Sequence, residues 1–437
     1  MRSLLLLFSL FLSTSTFSQS YTTWILGDPQ DVSPSNFEFG LVLAGGGGDN
    51  DDAMQWMLNR ADGGDVLIIR ASQSDGYNNY FFNDLGVNVN SVRTIRFDDA
   101  SAANDPFVLQ EIQNAEVLFI AGGDQFDYYS FWKDTPVEQA INDLINVKGI
   151  TVGGTSAGMA ILGDVYYTPD GGSLTSDQAL ANPFHPNVSI LGEGDFVAAP
   201  FLSNVVTDTH YDQRDRQPRH FTFIARMVDA FGGQYYGIAC NEYTAVCIDE
   251  TGQARVFGEH PEFDDFAYFL QSNCQSDPAP ELIQAGSPLT WDRSQAAVKA
   301  YKVPGTTQGT NTFDLTDWST GSGGSWENWY AQNGVFNKQL NVDGNCDLAT
   351  SIEQTNAFNT LQILPNPFQE MIDIRGITKS TEPYTVQVFN LLGELVFSSS
   401  LTGDRQQLQL GYLPKGNYTL TITTSDGSHS QKIVKQH

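Results

Sequence analysis

From Asn36 onward the chain alternates between short apolar runs and stretches compatible with helix. Phe37 to Leu43 is mostly apolar and leads into Gly45–Gly48; Asp49 to Asp52 follow, then a helix-like segment from Ala53 to Arg60. Val66–Ile69, Glu116–Ala121 and Gly149–Val152 are further apolar runs, the last two closed by Gly122-Gly123 and Gly153-Gly154. Short apolar strands ended by glycine and separated by helical stretches predict an α/β fold, a mostly parallel sheet with helices on both faces. In such sheets ligands sit beyond the carboxyl ends of the strands, so the glycine-rich ends are where chemistry is expected. Gly237–Ile248 reads as one more continuous strand.

The pattern changes along the chain. After about Phe257, Gly, Ser, Thr and Trp become frequent, as in Thr306–Thr312 and Ser319–Trp326, which predicts hairpins and loops completing the first domain. Residues 347–361 read as a polar linker. From Leu364 the alternation is purely period-two: Tyr384, Val386 and Val388, then Leu395 and Phe397, then Tyr418, Leu420 and Ile422. Turn signals at Leu392-Gly393, Pro414-Lys415-Gly416 and Asp426-Gly427 separate these runs, which predicts a small all-β sandwich over 362–437. At the other end, Arg2, the apolar Leu4–Leu12 and the small polar Ser13–Thr16 have the layout of a signal peptide over 1–18, too short to span a bilayer. The globular domain is therefore expected over 19–346, in a protein that leaves the cytoplasm.

Charge narrows the partners. The 437 residues carry a formal net charge of −29, whereas a phosphate-backbone binder needs clustered Lys and Arg. The charge disfavours nucleic acid and anionic membrane surfaces as partners; a cationic substrate would be attracted, although acidity also serves solubility. Export permits disulfides among the four cysteines. Cys240 and Cys247 on one extended strand lie beyond bonding reach, so Cys274 with Cys346 is the preferred pairing. No cysteine spacing resembles a zinc site, and Asp49–Asp52 lacks EF-hand spacing while suiting a helix N-terminus. Neither metal nor organic cofactor is expected.

The strongest local signal is Gly154-Thr155-Ser156-Ala157-Gly158, after an apolar run and before the helix-compatible Ala157–Leu162. A serine between glycines at a strand-to-helix turn has the form of a nucleophile elbow, in which small neighbours allow a strained turn that lifts the hydroxyl above the sheet. The same string can also be a plain tight turn. If it is an elbow, the Ala157 amide is placed to donate to an oxyanion. A serine hydroxyl needs a base, and outside the last domain the histidines are His185, His210, His220 and His260. His210 lies in a loop that also carries Arg214, Arg216 and Arg219, an unusual density in an acidic chain. Guanidinium forks suit carboxylate binding; the alternative is a surface loop salt-bridged by Asp212 and Asp215.

Together these residues resemble peptidase family S51, which contains cyanophycinase and the aspartyl dipeptidases. The G-T-S-A-G elbow at Gly154–Gly158, G-G-D-Q at Gly122–Gln125, D-x-H at Asp208–His210 and R-x-R-x-x-R at Arg214, Arg216 and Arg219 occur in the family's order, within roughly residues 40–300. The resemblance implies a class I glutamine-amidotransferase-like sandwich, with Ser156 as nucleophile and His210 as base. Gln125, Asp208 and the three arginines would line a pocket for Asp-containing peptides, including the β-Asp-Arg linkage of cyanophycin. The amides of Ala157 and of Gly122 or Gly123 would stabilise the oxyanion. Asn241-Glu242-Tyr243-Thr244-Ala245 resembles the family's D-E-x-T-A stretch and offers Glu242 as the third triad member; Asp177 is its rival. Two positions depart from the pattern, Thr209 where cyanophycinase has Gln, and Pro218 where a small residue is usual, which puts the substrate in question more than the reaction. An α/β-hydrolase esterase using His260 and a non-catalytic peptide-binding protein are the alternatives.

The last domain carries its own resemblance. Leu364-Pro365-Asn366-Pro367, Val388–Gly393, Leu413–Tyr418 and Lys432–Lys435 resemble the type A sorting domain of the type IX secretion system. That implies type IX machinery as a partner and a secreted or cell-surface protein. An ordinary carbohydrate-binding sandwich is the alternative, though no paired aromatic platform stands out. Dimerisation is left open.

Overall fold

The computed structural model describes residues 19–170, 172–191, 194–273, 277–344, 361–376, 383–390, 395–403, 405–424 and 427–436. The expected signal peptide, all of the expected linker except Leu361, Cys274, Cys346 and the turns at Leu392-Gly393 and Asp426 lie outside them. The chain divides into two compact units, Met1–Leu348 and Ala349–His437.

The larger unit contains a ten-stranded sheet in the order Tyr21–Gly27, Ser91–Phe97, Asp65–Arg70, Val117–Ile120, Thr151–Thr155, Gly40–Ala44, Ala245–Ile248, Gln253–Phe257, Asn311–Asp314 and Gly321–Ser322. From Ser91–Phe97 to Gly40–Ala44 all neighbours are parallel. Their near-continuous Val, Leu and Ile runs are buried on both faces, as parallel strands require. The first strand and the four strands beyond Gly40–Ala44 pair antiparallel, so the sheet is mixed, with a parallel centre.

The helices carry clear start signals. Asn50 caps Asp51–Asn59 by accepting from the Ala53 amide at 3.0 Å, so Asp51 and Asp52 occupy a first helical turn. Asp124 caps Gln125–Trp132 in the same way, leaving Gln125 at the first helical position. Pro218 stands in the first turn of Gln217–Phe231, where a missing N–H costs nothing.

Two expectations are corrected. The segment after Phe257 contributes to a second, six-stranded sheet, ordered Val335–Leu340, Ser325–Gln332, Val298–Pro304, Phe266–Ser272, Tyr236–Cys240 and Val205–Asp208. Gly237–Ile248 is not one strand: Tyr236–Cys240 belongs to this second sheet and Ala245–Ile248 to the first. The turn between them has Tyr243 at φ 61°, a conformation that ends a strand. Cys240 and Cys247 are buried free thiols, one in each sheet.

The smaller unit pairs a three-stranded sheet, Gln362–Leu364, Met371–Arg375 and Arg405–Gln409, with a four-stranded one, Leu395–Leu401, Tyr384–Asn390, Gly416–Thr424 and Gly427–Lys435. Ile372, Ile374, Val386, Val388, Leu420 and Ile433 meet in one core, as period-two alternation requires.

Candidate active site

Ser156 follows Thr151–Thr155 directly and sits at φ 52°, ψ −114°, outside the comfortable regions for a residue with a side chain. Its flanking glycines permit the turn through close backbone packing. A Cβ on Gly154 would stand 2.5 Å from the Gly158 carbonyl, and one on Gly158 would stand 2.0 Å from the Ile120 carbonyl oxygen. The helix that follows is a single turn, Ala157–Ala160, shorter than its sequence suggested. The Ala157 amide therefore counts as one donor rather than as the end of a macrodipole. Gly122 faces the serine, since a Cβ there would lie 3.4 Å from Ser156 Cβ; Gly123 faces the Tyr128 hydroxyl instead.

His210, at φ 47°, lies two residues beyond Val205–Asp208, and its amide donates to the Gly45 carbonyl at 2.9 Å. Its Nε2 is 2.8 Å from Ser156 Oγ and its Nδ1 is 2.6 Å from Glu242 Oε1. A carboxylate can only accept, so Nδ1 carries the proton and the unprotonated Nε2 accepts from the serine hydroxyl. Glu242 comes from the turn between the two sheets, and the rival Asp177 is exposed in the first turn of Ser176–Ala181. His260 packs instead against the ring of Phe266.

A contribution that sequence reasoning missed lies above these three side chains. A Cβ on Gly46 would stand 2.6 Å from the His210 ring and 2.9 Å from Ser156 Cβ, and one on Gly47 would stand 2.7 Å from the Glu242 carboxyl. Both glycines have positive φ. Gly46 and Gly47 thus form a roof that no larger residue could form. The signal was present: four consecutive glycines at a strand end marked a place where chemistry is expected, without indicating which side chains they cover.

The arginines divide. Arg219, 3% exposed, forks onto Asp208, Nε to Oδ2 at 2.8 Å and an Nη to Oδ1 at 2.5 Å. Burial alone would push the Asp208 carboxyl upward, but Arg219 and then Arg216 hold it below its usual value. Asp208, expected to line the pocket, is instead buried behind the cleft lining with its charge paired to Arg219. Arg216 donates to the Thr209 carbonyl at 2.9 Å, and burial lowers its pKa to about 10. Arg214 is exposed. Asp212 accepts from Gln217, Tyr268 and Asn241 rather than from an arginine, which removes the salt-bridged-loop reading. Burial lowers the pKa of His210; the Glu242 hydrogen bond opposes this, and Arg214 and Arg216 add to it.

A cleft of about 250 Å³ opens before Ser156 and His210, lined also by Gln125, Arg214, Arg216 and Arg219. A larger cavity, about 570 Å³, adjoins Glu242 and Tyr243. Six more carboxylates line it, those of Asp49, Asp51, Asp52, Glu259, Asp264 and Asp265, together with the exposed ring of Phe263. Among the described residues no group of three or more His, Cys, Asp or Glu is placed to hold a metal ion.

Residues 41–256 match the family model of peptidase family S51, and residues 362–436 match that of the secretion system C-terminal sorting domain. The chain carries a family S51 peptidase domain and a sorting domain. The cyanophycinase of Synechococcus elongatus is 25% identical over 230 residues, 50% of this chain and 66% of that protein. The cyanophycinase of Trichormus variabilis is 24% identical over 178 residues, 41% and 53% of the two chains. The chain thus spans less than two thirds of the length of these relatives. The crystal structure of a peptidase from an acI-B1 Actinobacterium aligns over 64% of this chain and 98% of that one, at 14% identity and a TM-score of 0.41.

Proposed function

We propose that the S51 domain is a serine-type peptidase acting through Ser156, His210 and Glu242, on a class I glutamine-amidotransferase-like scaffold. The observation that carries the reading is the unbroken hydrogen-bonded chain from Ser156 Oγ through both imidazole nitrogens to Glu242. Ser156 Oγ attacks the scissile carbonyl while its proton passes to His210 Nε2. The oxyanion is received by the Ala157 amide and by that of Gly122, which packs against the serine; one such donor is worth about 3 kcal/mol. Collapse breaks the C–N bond, and the imidazolium returns its proton to the departing amine. Water then attacks the acyl ester with His210 again as base, which releases the acid and restores Ser156. Glu242 holds the Nδ1–H tautomer throughout.

The substrate we infer is an Asp-containing peptide with a cationic neighbour, such as a β-Asp-Arg dipeptide. Arg214 and Arg216 suit its carboxylates. With Asp208 paired to Arg219, the acidic cavity beside Glu242 is the better place for the guanidinium. We further infer that the N-terminal segment directs export, and that the sorting domain directs passage by type IX secretion to the cell surface or medium. The decisive experiment compares β-Asp-Arg with α-Asp-Arg in the purified protein and in Ser156→Ala. Hydrolysis of the β-linked peptide, lost in the variant while binding persists, is expected. Equal turnover in Ser156→Ala would discard the mechanism.

A further inference from the structure

Glu242 has no regular element to hold it. It stands on a four-residue turn that leaves one sheet and enters the other, yet its carboxylate must meet His210 within a few tenths of an ångström. The neighbouring Asn241 is fully buried, and its side chain makes three hydrogen bonds. Its Oδ1 accepts from the Asp212 amide at 3.1 Å; its Nδ2 donates to Asp212 Oδ2 at 3.0 Å and to the Asp264 carbonyl at 2.6 Å. Gln213 adds a bond in the reverse direction, its Oε1 accepting from the Glu242 amide at 3.1 Å. The segment just after His210 and the segment bearing Glu242 therefore grip each other through both ends of one amide.

We propose that Asn241 is a positioning residue, and that its reciprocal clamp with Asp212 sets the Glu242–His210 hydrogen bond. The proposal rests on the peptidase reading of this site. The chemistry requires an amide. Asp212 presents a donor in its N–H and an acceptor in its carboxylate, and the carboxylate also takes the hydroxyl of Tyr268 at 2.7 Å and the amide of Gln217 at 2.6 Å. Three donors converge on it. A carboxylate at 241 could accept from the amide but would face a second carboxylate across the remaining contact, and the turn would be pushed away from His210. Small misplacements of an orienting group are expensive in rate while leaving substrate binding intact.

The test is a charge swap in the full chain. Asn241→Asp is expected to lower kcat on β-Asp-Arg, and the rate at which a fluorophosphonate labels Ser156, by about a hundredfold with KM little changed. Asn241→Asp with Asp212→Asn restores a donor opposite an acceptor at the 212 contact, though not the bond to the Asp264 carbonyl, and should regain at least about tenfold of that loss. In parallel, the low-field proton resonance of His210 Nδ1–H should be lost in the single variant and recovered in the double. A single variant that labels at the normal rate and keeps its resonance, or a double variant no better than the single, overturns the clamp. Failure of the unmutated protein to label would sink the peptidase reading alone, because the resonance reports the clamp without catalysis.

Discussion

The two cavities on either side of the His210–Glu242 pair are opposites. The cleft before Ser156 is lined by three arginines, two of them within ion-pair reach of Asp208, Arg219 closely and Arg216 at 3.7 Å. The cavity beyond Glu242 is lined by carboxylates and aromatic rings, with no lysine, arginine or histidine among its lining residues. A formal net charge of −29 says nothing of this division. It shows that overall acidity and local charge are separate properties: three arginines gather at one cleft of an otherwise acidic chain. Under the proposed function, a peptide with an anionic and a cationic end would lie across the pair with its anionic end toward the arginines.

The sharpest way to break this comparison is to remove the reacting groups between the cavities. Ser156→Ala or His210→Ala should lower kcat on β-Asp-Arg by about 10⁴-fold or more, measured by amine release. Glu242→Gln should cost about a thousandfold, because an amide permits the wrong tautomer, while Asp177→Asn should leave turnover near normal. The reverse result would transfer the orienting role to Asp177.

Asp208 tests whether the paired arginine belongs to the scaffold. Asp208→Ala leaves Arg219 buried and uncompensated, and should destabilise the larger unit by about 3–5 kcal/mol in urea unfolding. Unchanged stability with a raised KM would return Asp208 to the substrate.

Smaller effects sharpen the division itself. Arg216→Met should raise KM about tenfold for a peptide with a free carboxylate and much less for its amidated form. Glu259→Gln in the other cavity should raise KM about twofold for the arginyl peptide and not for a citrulline analogue. If both variants affected the same end of the peptide, the opposed cavities would not define its orientation. The pH profile is the mildest test. Catalysis needs neutral His210, and burial lowers its pKa, so the acid limb of kcat/KM should fall below pH 6.5. A limb above that value would mean that Glu242 outweighs burial.

Much of the site was legible before folding. The elbow could be read because close backbone packing demands glycine at 154 and 158, and the arginine loop because charge of that sign is scarce here. The cap at Asp124 and the first-turn Pro218 follow local rules that composition already carries. Less legible was anything decided between segments distant in the chain. Asp208 and Arg219 looked like two pocket residues; only the packing of a helix against a strand made them one ion pair. Gly237–Ile248 looked continuous because both halves are apolar, and apolar pattern does not state which sheet buries it.

By itself the sequence determined the parallel centre, the separate all-β unit, the strained serine turn and the residue types gathered near it. Each follows from spacing or backbone sterics within a few residues. Tertiary structure alone decided that Glu242 rather than Asp177 reaches His210, that Gly46 and Gly47 roof the pair, and that the charges divide into two opposed cavities. Those outcomes depend on where strands far apart in sequence end in space, and periodicity along a chain carries no such distance.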